Sequence, residues 1–485
     1  MLIEPHSVPT AEGPTVAIVG AGASGLLTAA HLLRAASRRQ HALQVVLIER
    51  SARTGGVAYS TSDPGHRLNV TAARMSGLSE APDHFVRWRH STTRAYDPGE
   101  YAPRAHYRRY LEELLAEACR SGGAAVTLAR VSAEVTGVAR DGSRLRLDLA
   151  GLGVLEADAA VLALGNMATL PPAGCESVAA HARYVNDPWA PQVLDRLEAN
   201  GKSMILLVGS GLTMVDVAST ITERFPLAKM LAVSRSGLLP RAHLAGRISP
   251  QPRIAIEGDL SLPKLVDMVL AESAAGNPAW HQLVDDLRPL TQALWKRLDL
   301  DERAKFLATR HRAWCVRRHR MPPQVAARLA ETIGRDRLTV RSGTVELAPA
   351  TESTLVAQIA GTPPTEIDLA INCTGPSLDP RTSEDRLIAQ LLRDGHVRTH
   401  PLGVGFDTAP DGAFISAAGV SDGQLFTIGP PRIGELYETT AIPEIRVQAE
   451  ELAAALVRSI ATARAGETDR GRVELGARTA RRTAA

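Results

Sequence analysis

Gly20-Ala21-Gly22-Ala23-Ser24-Gly25 stands between a short apolar run, Val16 to Val19, and an alanine- and leucine-rich segment that ends near Arg38. The run is too short for an amphipathic helix and reads as a parallel strand buried on both faces. A strand that opens into GxGxxG and then a helix is half of a βαβ unit. The second strand, Val45 to Ile48, ends at Glu49, 24 residues after Gly25. In that setting each glycine has its own task. Gly20 allows the tight turn, Gly22 lets the backbone approach a pyrophosphate, and Gly25 lets helix and strand pack closely. Ala23 and Ser24 open a helix whose N-terminus faces the phosphate charge, and Glu49 is placed to accept hydrogen bonds from a ribose.

The same order recurs at Met204 to Val208, Gly209-Ser210-Gly211, a helix through about Arg224, and a strand from Met230 to Val233. The pattern predicts an α/β protein with two Rossmann-like dinucleotide-binding domains. Leu212 and Thr213 open the second helix. Met214 stands where the third glycine would, which predicts looser helix packing. The strand that follows ends in Ser234-Arg235, where recognition of a ribose diol would place an acid. An arginine there favours a 2′-phosphate, hence NADPH, although a plain surface arginine is the other reading. From about 239 to 335 the pattern turns helical and is read as an insertion. After Gly405 come short strands and an amphipathic helix from about Thr439 to Thr462. The expected division is a discontinuous first domain, 14–200 plus 366–465, a second domain, 201–365, and flexible tails at 1–13 and 466–485.

The balance of 55 basic and 52 acidic residues over 485 excludes a polyanion-binding face, so no nucleic-acid partner is expected. The four cysteines form no CxxC pair and show no zinc spacing, so no metal and no redox disulfide are expected. No stretch of about 18 apolar residues occurs, and the expectation is a soluble, cytoplasmic protein without membrane contact. Nothing in the sequence fixes its oligomeric state.

Beyond Glu49 stand Gly55-Gly56-Val57-Ala58-Tyr59-Ser60, then Leu68-Asn69-Val70 and Met75. Far downstream comes a segment running from Thr427-Ile428-Gly429-Pro430-Pro431-Arg432 to Glu444. These strings resemble the FAD/NAD(P)-binding flavoproteins with two dinucleotide-binding domains, in particular the N-hydroxylating type of single-component flavin monooxygenase. The resemblance implies that Gly56 lies near the flavin diphosphate, and that Asn69 and Met75 lie near the isoalloxazine or its ribityl chain. It adds Arg50, Tyr59, Val70, Val135, Gly165, Gly434 and Ala441 to the FAD-binding set. Asp407 could hold the ribityl or pyrophosphate, or be a solvated turn aspartate. Gly375 joins Gly209, Gly211, Leu212, Thr213, Ser234 and Arg235 in the NADP set, because Cys373-Thr374-Gly375-Pro376, like Ala163-Leu164-Gly165-Asn166, resembles an interdomain hinge.

The order of segments resembles enzymes that form a C4a-hydroperoxyflavin from FAD, NADPH and molecular oxygen, in which the cofactor does the chemistry and no triad is expected. The Baeyer-Villiger fingerprint FxGxxxHxxxW is not present, which favours N-hydroxylation of a small amine or amino acid. A flavin reductase passing electrons to another acceptor, and a flavin-bound sensor or scaffold, remain as alternatives. The insertion carries Arg310, Arg312, Trp314, Arg317, Arg318 and Arg320 within eleven residues. Those that face inward need anions, and a substrate carboxylate or the NADP 2′-phosphate would both serve.

Overall fold

The computed structural model describes residues 13–460 apart from 52, 93–96, 191, 198–200 and 245–259. The expected tails, Gly13 excepted, lie outside the described residues.

A six-stranded sheet runs Ala413–Ile415, Ser421–Thr427, Ala159–Leu162, Thr15–Val19, Leu43–Glu49, Val126–Ser132. It is parallel except at its first strand. The central strand is apolar from Val16 to Val19 because it is covered on both sides. Val16 and Ile18 enter one core with the Ala23–Arg38 and Arg104–Ser121 helices, and Ala17 enters another below.

The second sheet, Leu338–Ser342, Lys229–Ser234, Met204–Val208, Leu369–Asn372, Tyr184–Val185, is parallel throughout. Here the structure corrects the expected boundaries at 200/201 and 365/366. Leu369–Asn372 hydrogen-bonds directly to Met204–Val208, and Tyr184–Val185 extends the same sheet. Strand pairing is not local, so an apolar run such as Leu369–Asn372 fits either sheet equally well until its neighbour is known.

Each unit also carries a three-stranded antiparallel meander directly before one of its parallel strands. Val135–Asp141, Arg144–Leu149 and Gly153–Ala157 precede Ala159–Leu162, and Val345–Pro349, Leu355–Ile359 and Thr365–Ile367 precede Leu369–Asn372. The repeat therefore covers more of the chain than its glycine turns.

The expected insertion is helical, with Leu262–Ala274, Trp280–Leu287, Thr291–Arg297, Leu300–Thr309, His311–Arg318 and Pro323–Gly334. Its core of Trp295, Phe306 and Trp314 closes on Tyr437, whose ring stacks on Trp295 at 4.7 Å. The insertion thus packs against the closing segment of the first unit. The long C-terminal helix occupies 442–460, starting three residues later than expected, with Pro443 tolerated in its first turn.

Candidate functional site

At the first glycine turn, Gly20 takes φ +104°, and a side chain there would meet Ala163 O at 2.6 Å. Gly20 N donates to Ile48 O at 2.8 Å, which ties the turn to the neighbouring strand. Glu49 lies against the turn: Oε2 accepts from Ala21 N at 2.7 Å, and Oε1 accepts from Ser51 N at 2.9 Å. Gly55 N donates to Ala21 O at 2.8 Å, so the second glycine pair sits beside the first turn. The Ala23–Arg38 helix starts at Gly22 with no side-chain cap and no acid in its first turn. Its first N–H groups are free to receive a phosphate. A Cβ on Gly22 would meet only Gly56, at 3.7 Å, so protein does not fill the space before the helix. An uncapped helix start, two facing glycines and an acid at the strand end fit a dinucleotide diphosphate with its ribose.

The second turn is built alike. Gly209 takes φ +115°, its N donates to Val233 O at 2.7 Å, and the Leu212–Arg224 helix is uncapped at Gly211. Nothing lies within 4 Å of a Cβ placed on Gly211. Met214 is fully buried. In the first unit a Cβ at the matching Gly25 would fall 1.9 Å from Gly20 O, so the second helix must stand further from its turn. Arg235 is exposed at the end of its strand, and Ser234 Oγ is 2.7 Å from Ser210 Oγ.

Between the units lies a cavity of about 220 Å³. Tyr59, Asn69, Val70 and Met75 line it from the first unit, Thr440, Ala441 and Ile442 from the start of the last helix, His243 from the second unit, and Asp285, Arg288, Arg318, His319 and Arg320 from the insertion. Burial, with Arg104 opposing it, pushes the Tyr59 hydroxyl up to about 12. Tyr59 is therefore a neutral wall, its ring 5.0 Å from that of Tyr107.

An FAD-NAD(P)-binding family profile matches residues 17–167, the part of the chain that carries the first turn, Glu49 and the cavity segment from Tyr59 to Met75. Ornithine hydroxylase from Pseudomonas aeruginosa superposes with a TM-score of 0.62 at 16% identity, over 92% of this chain and 99% of that one. The two-domain fold is shared over that length. An ornithine N-hydroxylase from Kutzneria sp. 744, solved with reduced FAD, NADP+ and L-ornithine, gives 0.59 at 14% identity over 93% and 100%. Bacillithiol disulfide reductase from Staphylococcus aureus gives 0.54 at 11% identity over 93% and 99%. The fold alone thus spans more than one chemistry. No curated protein is detectably similar in sequence.

Within this fold the remaining expected FAD residues separate. Val135 lies beyond Ala133, whose N–H donates to Glu49 O at 3.1 Å, so both stand near the Glu49 strand end. Arg50 is directed outward to Asp385 at 3.1 Å. Gly165 follows the Ala159–Leu162 strand with φ +66°, and Gly375 follows Leu369–Asn372 with φ +93°, each at the mouth of its sheet. Asp407 is held by Arg398, at 2.7 Å from Nε and 2.6 Å from Nη2, so its charge is already met inside the protein. Gly434 packs: a Cβ there would lie 2.3 Å from His400 Cγ, and its carbonyl accepts from Trp295 Nε1 at 3.0 Å.

The arginine run divides by helical geometry. Trp314 and Arg318, four residues apart on one face of His311–Arg318, are buried, and Arg320 follows them inward. Arg310 is paired with Asp267 by two bonds of 2.8 Å at the surface. Arg317 donates to its own helix, to Ala313 O at 3.1 Å. Arg312 donates through Nε to Ser236 Oγ at 3.2 Å, beside Arg235. Burial and the nearby Arg235 lower its pKa. Arg310, Arg312, Arg317 and the core residue Trp314 are therefore not cavity residues, which corrects their assignment to a substrate pocket. The anion that buried arginines require is also supplied internally. Arg318 pairs with Glu438 at 2.8 Å, Arg320 with Asp285, and Arg288 with Glu444 through bonds of 3.0 and 3.2 Å.

Sequence reading missed His243 and Tyr101, which line the cavity. It also missed the contact of Arg104 with Asp216, 2.6 Å long, which joins the first unit to the second unit's helix. A lone histidine in a connecting stretch carries no pattern, and only the fold brings it across to Asn69.

Proposed function

We propose that this protein is an FAD- and NADPH-dependent monooxygenase that N-hydroxylates a small amine. The observation that carries this reading is the cavity itself. It is framed by the flavin-side residues Asn69, Met75 and Ala441 and by the nicotinamide unit's His243, and no cysteine lines it. Cys119, Cys175, Cys315 and Cys373 are all free. A disulfide reductase needs a thiol or thiol pair at its reacting centre, and the oxygenase reading does not. That amines are the substrates of similarly folded hydroxylases supports the choice of nitrogen as the atom oxidised. Bound flavin would supply the redox and oxygen chemistry, while the chain supplies position and exclusion of water. The balanced reaction is amine plus O₂, NADPH and H⁺ giving hydroxylamine, water and NADP⁺. One N–O bond forms, the O–O bond breaks, and two electrons come from NADPH.

The test is amine-dependent NADPH oxidation with hydroxylamine measured by mass. Hydroxylamine equal to the amine-stimulated NADPH consumption is expected. Oxidation with no hydroxylamine for any amine, but with reduction of an added acceptor, would make it a reductase.

We assign the 2′-phosphate of NADPH to Arg235 and Arg312. Two adjacent guanidiniums at the strand end, neither in an ion pair among the described residues, offer a fork to a phosphate. Arg235→Ala is expected to reduce the NADPH-over-NADH preference in kcat/KM by roughly tenfold to a hundredfold, the effect of one charge-assisted contact. An unchanged ratio would remove Arg235 from the site.

A further inference from the structure

Six charged side chains line the cavity: Arg74, Arg104, Arg288, Arg318 and Arg320 against Asp285 alone. The carboxylates that pair Arg104, Arg288 and Arg318 stand behind them, outside the lining. Asp285 is itself taken, by Arg320 and by Arg74 at 3.7 Å. A ligand in the chamber therefore meets positive charge first. Two of these arginines also have donors to spare. Arg318 and Arg320 are 7% and 4% exposed, and the Nε of each is buried without a hydrogen-bond partner. A buried N–H without an acceptor is costly, and donors of this kind suit the oxygens of an acid.

Against this stands a neutral acceptor on the second unit. His243 bonds through Nε2 to Asn69 O at 3.0 Å. A carbonyl can only accept, so Nε2 carries the hydrogen and Nδ1 presents a lone pair. Burial first, then Arg320, push the imidazole down to about 3, so it is uncharged at neutral pH. The ring is held from its own backbone, His243 N donating to Met321 O at 2.8 Å, and lies 5.3 Å from that of Tyr101.

We propose that the chamber takes a short amine that carries an acid group and rejects one that carries a second ammonium, with Arg318 and Arg320 holding the acid and His243 Nδ1 accepting from the reacting nitrogen. The charge preference stands on the cavity alone. The role given to the nitrogen rests on the N-hydroxylation reading. The two parts fit chemically. An amine is oxidised through its lone pair, and neighbouring guanidiniums disfavour the ammonium form, so the chamber itself favours the reactive free base. A second ammonium would enter the same field with no uncommitted carboxylate to meet it.

The experiment compares ligands of equal length on the FAD-loaded full-length protein: 5-aminopentanoate against pentane-1,5-diamine, and the unreactive pair pentanoate against pentylamine. Equilibrium binding is read by calorimetry, and turnover by hydroxylamine formation. The acid-bearing member of each pair is expected to bind at least tenfold more tightly. Arg320→Gln should reduce that preference at least tenfold while flavin content stays unchanged. His243→Gln, which can keep the bond to Asn69 O, should leave pentanoate affinity intact and lower kcat for the amino acid about tenfold. Equal or tighter binding of the diamine overturns the proposal, as does loss of flavin from Arg320→Gln. Acid-selective binding with no hydroxylamine from any ligand leaves the charge preference standing and refutes N-hydroxylation instead.

Discussion

Gly25→Ala is expected to purify with less than a tenth of the flavin of the unaltered protein and to unfold at lower urea. Its Cβ would lie 1.9 Å from Gly20 O and 3.0 Å from Gly20 C. Both are backbone atoms of the turn, so no side chain can swing aside. The Ala23–Arg38 helix would have to lift off the strand, which moves its first N–H groups away from the phosphates they serve. Overpacking of this kind costs about 1–3 kcal/mol, and at tenfold per about 1.4 kcal/mol that is roughly a tenfold to hundredfold loss in affinity if the strain falls on the bound geometry. Gly22→Val separates fold from ligand. Gly22 has φ −70°, open to any residue, and its Cβ meets only Gly56 at 3.7 Å. This variant should keep the urea midpoint of the flavin-free protein while losing flavin. The measurements are the ratio of flavin to protein absorbance and urea unfolding with flavin removed. Full flavin content in both variants would refute the placement of FAD at this turn.

Why Gly25 was readable in the sequence and Asp407 was not is a matter of range. A glycine turn is constrained by residues within five positions, and the acid that completes it lies at a spacing fixed by one helix and one strand. Gly20, Gly25 and Glu49 therefore declare themselves locally. Asp407 is ion-paired with Arg398, which no short pattern ties to it. Gly434 shows the same limit: a side chain there would meet the His400 ring, which no short pattern ties to it. The sheet boundary failed for a related reason, since Leu369–Asn372 is buried along its whole length and its apolar Leu369–Ile371 would suit either sheet. The arginine run was legible as a helix with an inward face, and Trp314 and Arg318 do share that face. Its partners were not legible, because Glu438 lies 120 residues further along the chain.

Glu438→Leu is expected to lower stability by about 3–5 kcal/mol, the range for removing one partner of a buried ion pair. Glu438 is 9% exposed, lies 2.8 Å from Arg318 Nη2 in an ion pair and accepts from Trp314 Nε1 at 3.0 Å. Burial alone would raise its pKa, but the opposing pull of Arg318, followed by His319, Trp314 and Arg288, leaves it lowered. The carboxylate therefore contributes stability above the usual carboxylate range, and that contribution is lost as pH falls through its depressed value. With the acid gone, Arg318 stays buried beside Glu444, 3.8 Å away, which is already committed to Arg288. Partial help from Glu444 sets the lower end of the range, and the lost Trp314 bond adds to the cost. Glu438 also fixes the chain just before Thr440 and Ala441 enter the cavity, so flavin should dissociate faster from the variant. The double variant Glu438→Leu/Arg318→Met decides whether the pair stabilises or only avoids an unpaired charge. Apolar replacement of both partners of a buried pair is often neutral or better, so at least half of the lost stability should return. Urea unfolding at constant slope measures both effects. A single variant as stable as the unaltered protein would mean that Arg318 finds another anion or water, and that Glu438 does not hold the roof of the cavity.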